Sequence, residues 1–163
     1  MLRKIIKIVL LIIWMGVIFS FSSDSGTESK KKSETVIVKT HEVITHEELT
    51  TQQKDVLVEK TVYPVRKLAH FLEYLVFGIL VISLVSEYIV LNKKAIYICL
   101  LIYLLYPLTD EFHQFFSDER TPKLVDIFVD MAGSIVGAHI YLTYKGIIRR
   151  IKDGSNKQKK AIS

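Results

Sequence analysis

Residues 66–91 read RKLAHFLEYLVFGILVISLVSEYIVL, and this stretch decides the fold. From Phe71 to Leu91 the only charges are Glu73 and Glu87, one near each end. A helix of this length covers about 30 Å, the thickness of a bilayer's hydrocarbon core. The block is therefore a membrane span. Three further blocks share its character. Ile5–Phe21 is broken only by Lys7, whose stem can snorkel to the interface. Ala95 to Thr109 is apolar and continues through a polar Asp110–Phe116, giving a span over 95–116. Leu124–Tyr144 carries Asp126 and Asp130 in its first half. The expected fold is all-α: a polytopic transmembrane bundle of four helices at about 5–21, 71–91, 95–116 and 124–144, in one domain over residues 1–163. The first block has an alternative reading as a signal peptide, with a basic start and Ser20-Phe21-Ser22 as a cleavage site. Its apolar stretch is long for that role, and Trp14 sits in its middle.

Composition agrees. Of 163 residues, 50% are hydrophobic and 24% charged, and mean hydropathy is +0.30. The apolar residues lie in long blocks with the charges between them, which excludes a soluble globular enzyme and a disordered chain. A single cysteine, Cys99, excludes an intrachain disulfide and a multi-cysteine metal site. The formal net charge of +5 is unevenly placed. Arg3, Lys4, Lys7, Lys93, Lys94 and seven basic residues after Tyr144 fall on one side, with Asp153 as the only acid in those loops. The segment Ser22–Lys67, on the other side, holds eight basic and eight acidic residues. The positive-inside rule then puts both termini in the cytoplasm.

Residues 22–65 are expected to form an extracytoplasmic insertion between the first and second spans. Thr45-x-x-Glu48 has the form of a capping box, followed at helical spacing by Leu49, Gln53, Val56 and Lys60. Thr35–Val38 fits a strand or a helix turn, and Tyr63-Pro64 marks a break before the second span. Lys30, Lys31 and Lys32 read most simply as a solvated face, with contact to outer-leaflet lipid as the alternative. His41 and His46 read as solvent-exposed. The basic tail 145–163 reads as a juxtamembrane anchor to anionic lipid, and membrane topology explains its charge without a nucleic-acid partner.

Charges inside membrane helices are costly and mark functional sites by default. Here they cluster. Arg66, His70 and Glu73 share one face of the second span, which Tyr74 extends, and Lys67 adjoins it. Asp110, His113 and Gln114 share a face at the end of the third, beside Glu111. Asp126 and Asp130 lie one turn apart in the fourth, and Gly133 and Gly137 continue their stripe. Arg120 and Lys123 lie in the connecting loop. With Ser134 near the midpoint of its span, Asp130 is about 6 Å and Asp126 about 12 Å from the bilayer centre. Asp130 should then find a cation among Arg66, Lys67, Arg120, His70 and His113, or take up a proton. The same residues could serve as a metal site, but they pair equally well with the arginines, so no metal or other cofactor is assigned. His139 reads as a hydrogen-bonded packing residue.

These residues resemble the hallmarks of the VanZ-like membrane proteins. Arg66-Lys67-x-x-His70-Phe71-x-Glu73-Tyr74 with Gly78 is similar to the first motif, and Asp110-Glu111-x-His113-Gln114-x-Phe116 with Arg120 to the second. Asp126-x-x-x-Asp130-x-x-Gly133-x-x-x-Gly137 is similar to the third, where the family usually has Asn at the place of Asp130. Trp14 with Ser22-Ser23 resembles the end of the family's first helix, with Asp24 where Gln is common. The resemblance implies a bacterial cytoplasmic-membrane protein, and for the founding members a link to glycopeptide resistance, teicoplanin above all. It implies no settled activity.

The expected site is a polar pocket at the outer leaflet that binds or modifies an amphiphile, such as a membrane lipid or a lipid-linked envelope precursor. Arg66, Lys67 and Arg120 would hold its phosphate or carboxylate. Glu73, Asp110 and His113 are the acid–base candidates. No nucleophile stands out. The alternative is a non-enzymatic scaffold whose polar cluster only fixes helix packing. A proton-coupled transporter is a weaker reading, because the ionisable residues stop in the outer half.

Overall fold

The computed structural model describes residues 1–116 and 123–162. Among the described residues there are five helices and no strand: α1 (Leu2–Ser22), α2 (Gly26–Thr45), α3 (Thr51–Val85), α4 (Lys93–Gln114) and α5 (Leu124–Ile162). Among the described residues four stretches are long and apolar enough to cross a membrane: Leu2–Ser22, Thr51–Val85, Lys93–Gln114 and Leu124–Asp153. Their outward faces carry exposed Ile12, Leu101, Phe128 and Ile140, as surfaces meant for lipid do. The core is small and central, built from Ile18 of α1, Tyr74, Phe77, Val81 and Ile82 of α3, and Cys99 and Tyr103 of α4. α1 is tied to this core: the Trp14 indole donates to the Glu73 carbonyl at 2.9 Å, and the Tyr106 hydroxyl to the Met15 carbonyl at 3.0 Å.

The closest pairing is α3 against α5, and glycine makes it possible. A Cβ built on Gly78 would lie 2.0 Å from the Ser134 carbonyl oxygen. One on Gly133 would lie 2.3 Å from the Phe71 carbonyl oxygen, and one on Gly137 2.0 Å from that of Leu75. The two backbones touch, as the Gly133–Gly137 spacing predicts.

Most of residues 22–65 is helical, in α2 and the first part of α3, which decides one open reading and corrects two. Thr35–Val38 lies in the middle of α2, not in a strand. The capping box that starts α3 is Thr50 with Gln53, whose side-chain oxygen accepts from the Thr50 amide at 2.9 Å. Thr45 instead ends α2, its hydroxyl donating to the His41 carbonyl at 2.8 Å. Pro64 does not break the chain, and α3 runs through it for 35 residues. Leu57 and Thr61 before the proline and Val65 after it line one groove with Val36, Ile37 and Ile44 of α2. Packing against α2 on both sides offsets the lost hydrogen bond.

The second span also ends earlier than its hydropathy implies. α3 stops at Val85, and the chain turns through Ser86–Ile89 to Asn92, whose side chain caps α4 by accepting from the Ala95 amide at 3.1 Å. A clasp holds this turn. Lys7 pairs with Glu87 at 2.6 Å and donates to the Ser83 carbonyl at 3.0 Å, and Arg3 meets Glu87 at 3.1 Å. Lys7 therefore has a protein partner rather than a snorkelling role. The Lys7 hydrogen bond holds the Glu87 carboxyl below its ordinary value of 4.5. A depressed carboxylate pKa stabilises the fold above the unfolded value, and that contribution is lost as pH falls through the lowered one. Glu87→Gln is expected to lower the melting temperature in detergent at pH 7 and to flatten its decline below pH 4.5, the Glu87 reference value, measured from pH 7 to 3. His139, read as a packing residue, is exposed on α5. α5 continues as one helix through the basic tail.

Candidate functional site

The polar residues singled out from the sequence meet at the bundle end where α1 stops and α3, α4 and α5 come together. They divide into a buried cluster and an open cleft.

The buried cluster lies between α3, α4 and α5. Lys67 of α3 forms an ion pair with Asp126 of α5, both side chains being less than a fifth exposed. One turn deeper, His70 Nδ1 lies 3.6 Å from Asp130 Oδ1, and Asp130 is fully buried. These two pairings stitch α3 to α5 immediately above the glycine contact. From α4, Asp110 and Glu111 are buried at 5% and 4% exposure. Gln114 donates to Asp110 at 3.2 Å and to Ser22 of α1 at 3.3 Å, and Glu111 accepts from the Lys123 amide at 2.8 Å. Among the described residues both Asp130 carboxylate oxygens, one Glu111 oxygen and the Tyr74 hydroxyl are buried without a hydrogen bond. Unpaired polar atoms at such depth are costly and mark a place where stability is not the sole design.

The cleft opens on the other side of His70. It has a volume of about 250 Å³ between the end of α1, the first half of α2 and the middle of α3. Arg66, His70 and Glu73 of α3 line one wall, with Asp24, Ser29 and Lys32 facing them, and Phe21, Val36, Val65 and Ala69 make the rest largely apolar. Arg66 is half-buried and forms no ion pair with any described residue. The face 66/70/73 expected from spacing is therefore real. Lys67 and Tyr74 point away from it, into the interface with α5 and α4.

His113 sits apart from both. It stacks on Phe19 at 4.2 Å between ring centroids and shares a 3.0 Å hydrogen bond with Ser23. Of the three acid–base candidates, Glu73 lines the cleft, Asp110 is buried beneath it, and His113 joins α4 to α1. Among the described residues no group of three His, Cys, Asp or Glu side chains is placed to hold a metal ion. Arg120 lies outside the described residues.

The sequence reading missed the α2 wall. Ser29, Lys32, Ser33 and Val36 follow at i, i+3, i+4 and i+7, a signal visible only once this segment is read as a helix. It also gave Ser22 and Ser23 no contacts, although they join α1 to Gln114 and His113.

The arrangement runs through most of the chain, and so does its likeness to known proteins. A family model described as VanZ/LLP1 matches residues 7–148. The chain belongs to the VanZ-like family. The match begins at Lys7 of the clasp and takes in the glycine contact, the buried cluster and the cleft. No curated protein and no solved structure matches the chain.

Proposed function

We propose that this VanZ-like membrane protein binds the anionic headgroup of an amphiphile in the α2–α3 cleft, with Arg66 as the anion ligand. The observation that carries the reading is Arg66 itself, a half-buried guanidinium with no described counter-ion, in a cleft where the apolar Phe21, Val36, Val65 and Ala69 lie among the polar side chains. A guanidinium so placed suits a phosphate or carboxylate. Depth supports it. Counting back about 20 residues from the end of α3, the length that crosses a bilayer core, brings the interface to Arg66. The distribution of Lys and Arg favours both termini in the cytoplasm, which sets the cleft at the outer leaflet of a bacterial cytoplasmic membrane.

A lipid or a lipid-linked envelope precursor fits a charged head in an apolar surround. Altered susceptibility to glycopeptides such as teicoplanin is the cellular consequence we propose for such binding. Lys67, one of the cations expected to hold the anion, is paired with Asp126 and serves the bundle. If a reaction follows binding, Glu73 is the acid–base group in the cleft, with His70 beside it.

The test is lipid capture. Protein purified in detergent is mixed with vesicles of phosphatidylglycerol and phosphatidylcholine, re-isolated, and its retained lipid identified by mass spectrometry. A charge-assisted hydrogen bond contributes about 1.5–3 kcal/mol, so Arg66→Ala is expected to lower phosphatidylglycerol retention roughly 10- to 100-fold. Equal retention by Arg66→Ala and the unaltered protein removes this reading. A specific observation favours the scaffold alternative: Lys67–Asp126, His70–Asp130 and Gln114–Ser22 each join two helices. In that case Arg66→Ala leaves both retention and phenotype intact.

A further inference from the structure

The anion site proposed above has one fixed cation, and the opposite wall holds a second that is only loosely committed. Lys32 projects from α2 into the cleft, and its ammonium lies 2.8 Å and 2.6 Å from the two carboxylate oxygens of Asp24. The ammonium also lies 5.6 Å from the centre of the Phe21 ring. The two partners are unlike. Asp24 is 16% exposed and sits on the short link between α1 and α2, whereas the Lys32 side chain is 58% exposed on a flexible stem. A pair this open to water contributes little to stability, so Lys32 can leave it at small cost. Its neighbours behave differently. Lys30 pairs along α2 with Glu34, and neither Lys30 nor Lys31 lines the cleft.

Charge decides what the exchange is for. With Lys32 held by Asp24, that wall is neutral, and an incoming anion meets the Asp24 carboxylate. A phosphate seated on Arg66 brings its own negative charge and acceptor oxygens beside the same ammonium and competes with Asp24 for it. Ser29 and Ser33 lie on the Lys32 face of α2 and place hydroxyl groups beside that path.

Resting on the headgroup reading above, we infer that Lys32 is a second, exchangeable ligand for a phosphate group in this cleft, leaving Asp24 for the phosphate when the headgroup enters beside Arg66. Asp24 is then a competitor that holds Lys32 while the cleft is empty. This gives α2 a function that a passive insertion lacks, and it fixes opposite signs for the two members of one ion pair.

The experiment is the same capture assay on the full chain, with three variants. Lys32→Ala is expected to lower phosphatidylglycerol retention by roughly 10-fold, the loss of one charge-assisted contact. Lys31→Ala removes the same charge from the same helix and is expected to leave retention unchanged, which separates a ligand from general attraction to an anionic surface. Asp24→Asn is expected to raise retention several-fold, because it frees Lys32 and removes a repelling carboxylate. A purely structural pair predicts the reverse for Asp24→Asn, together with a lower melting temperature.

Inorganic phosphate as competitor separates the two sources of the group. If it displaces the lipid in a Lys32-dependent way, the phosphate alone suffices. If it does not, but retention still needs Lys32, the ligand is the lipid headgroup; both results support the assignment. Equal behaviour of Lys32→Ala and Lys31→Ala, or loss of retention in Asp24→Asn, overturns it. Those results with Arg66→Ala still defective leave the proposed function standing, whereas a silent Arg66→Ala removes that function itself.

Discussion

Gly137→Ala is expected to leave little folded protein in detergent extracts, while Gly146→Ala on the same helix leaves the yield and melting temperature unchanged. In an isolated helix both changes are favourable, by about 1 kcal/mol, because alanine is the better helix former. The surroundings reverse the sign at one position only. A Cβ at Gly137 would sit 2.0 Å from the Leu75 carbonyl oxygen and 2.9 Å from its carbon. These are backbone atoms of α3, so no rotamer change relieves the clash. The helices must separate by on the order of an ångström, and close backbone approach is what drives association where lipid tails are as apolar as side chains. At Gly146 nothing lies within 4 Å.

Overpacking a core costs about 1–3 kcal/mol when side chains can give way, and the upper end or beyond is expected where only backbone is available. The damage also spreads upward, because Lys67–Asp126 and His70–Asp130 span the same α3–α5 interface. Gly78→Ala, whose Cβ would meet Ser134 from the other side, is expected to behave like Gly137→Ala. Size-exclusion profiles and detergent melts of the three variants check this. A Gly137→Ala protein that melts like Gly146→Ala would mean that the helices are not in backbone contact.

The sequence showed the spans because a bilayer demands an apolar length that few other settings require, although the second span ends at Val85 and not at Leu91. It showed the polar faces because helical spacing is rigid: Arg66, His70 and Glu73 do line one wall. It was least informative where hydropathy stops being the controlling variable. Pro64 has an intrinsic preference to end a helix, yet α2 packs on both sides of it, a tertiary contact no local rule contains. Glu87 lies within an apolar run, yet the chain turns there because Lys7 and Arg3 arrive from α1. Lys32 looked like its neighbours because a run of three lysines gives no sign of which one faces inward. Pairing was the other hidden quantity. Spacing put five candidate cations near Asp130, and only the packing of α3 on α5 selects His70 for it and Lys67 for Asp126.

That selection separates two carboxylates one turn apart on the same helix. Asp126→Asn is expected to destabilise the protein, and Asp130→Asn is expected to leave the melting temperature unchanged or raise it. Asp126 neutralises Lys67, whose side chain is only 17% exposed, so an amide there strands a charge between packed helices. Breaking a buried pair from one side costs about 3–5 kcal/mol, and partial exposure to water here brings the expected loss toward the lower figure. Asp130 faces a different partner. His70 can be neutral, and a neutral imidazole needs no counter-charge, so removing the Asp130 charge strands nothing.

The amide also ends the cost of holding an ionisable group at zero exposure with neither oxygen hydrogen-bonded. Asp130→Leu tests whether polarity matters at that position apart from charge. It leaves His70 Nδ1 facing hydrocarbon and puts a branched side chain beside the helix contact, for an expected loss of about 1–3 kcal/mol. The expected order of melting temperature in detergent is therefore Asp130→Asn at or above the unaltered protein, with Asp126→Asn and Asp130→Leu both below it. The reverse result, a destabilised Asp130→Asn with Asp126→Asn unharmed, would show that the Asp130 charge holds the bundle together. The part of the cluster that depends on ionisation would then lie one helical turn, about 5 Å, deeper than the Lys67–Asp126 pair.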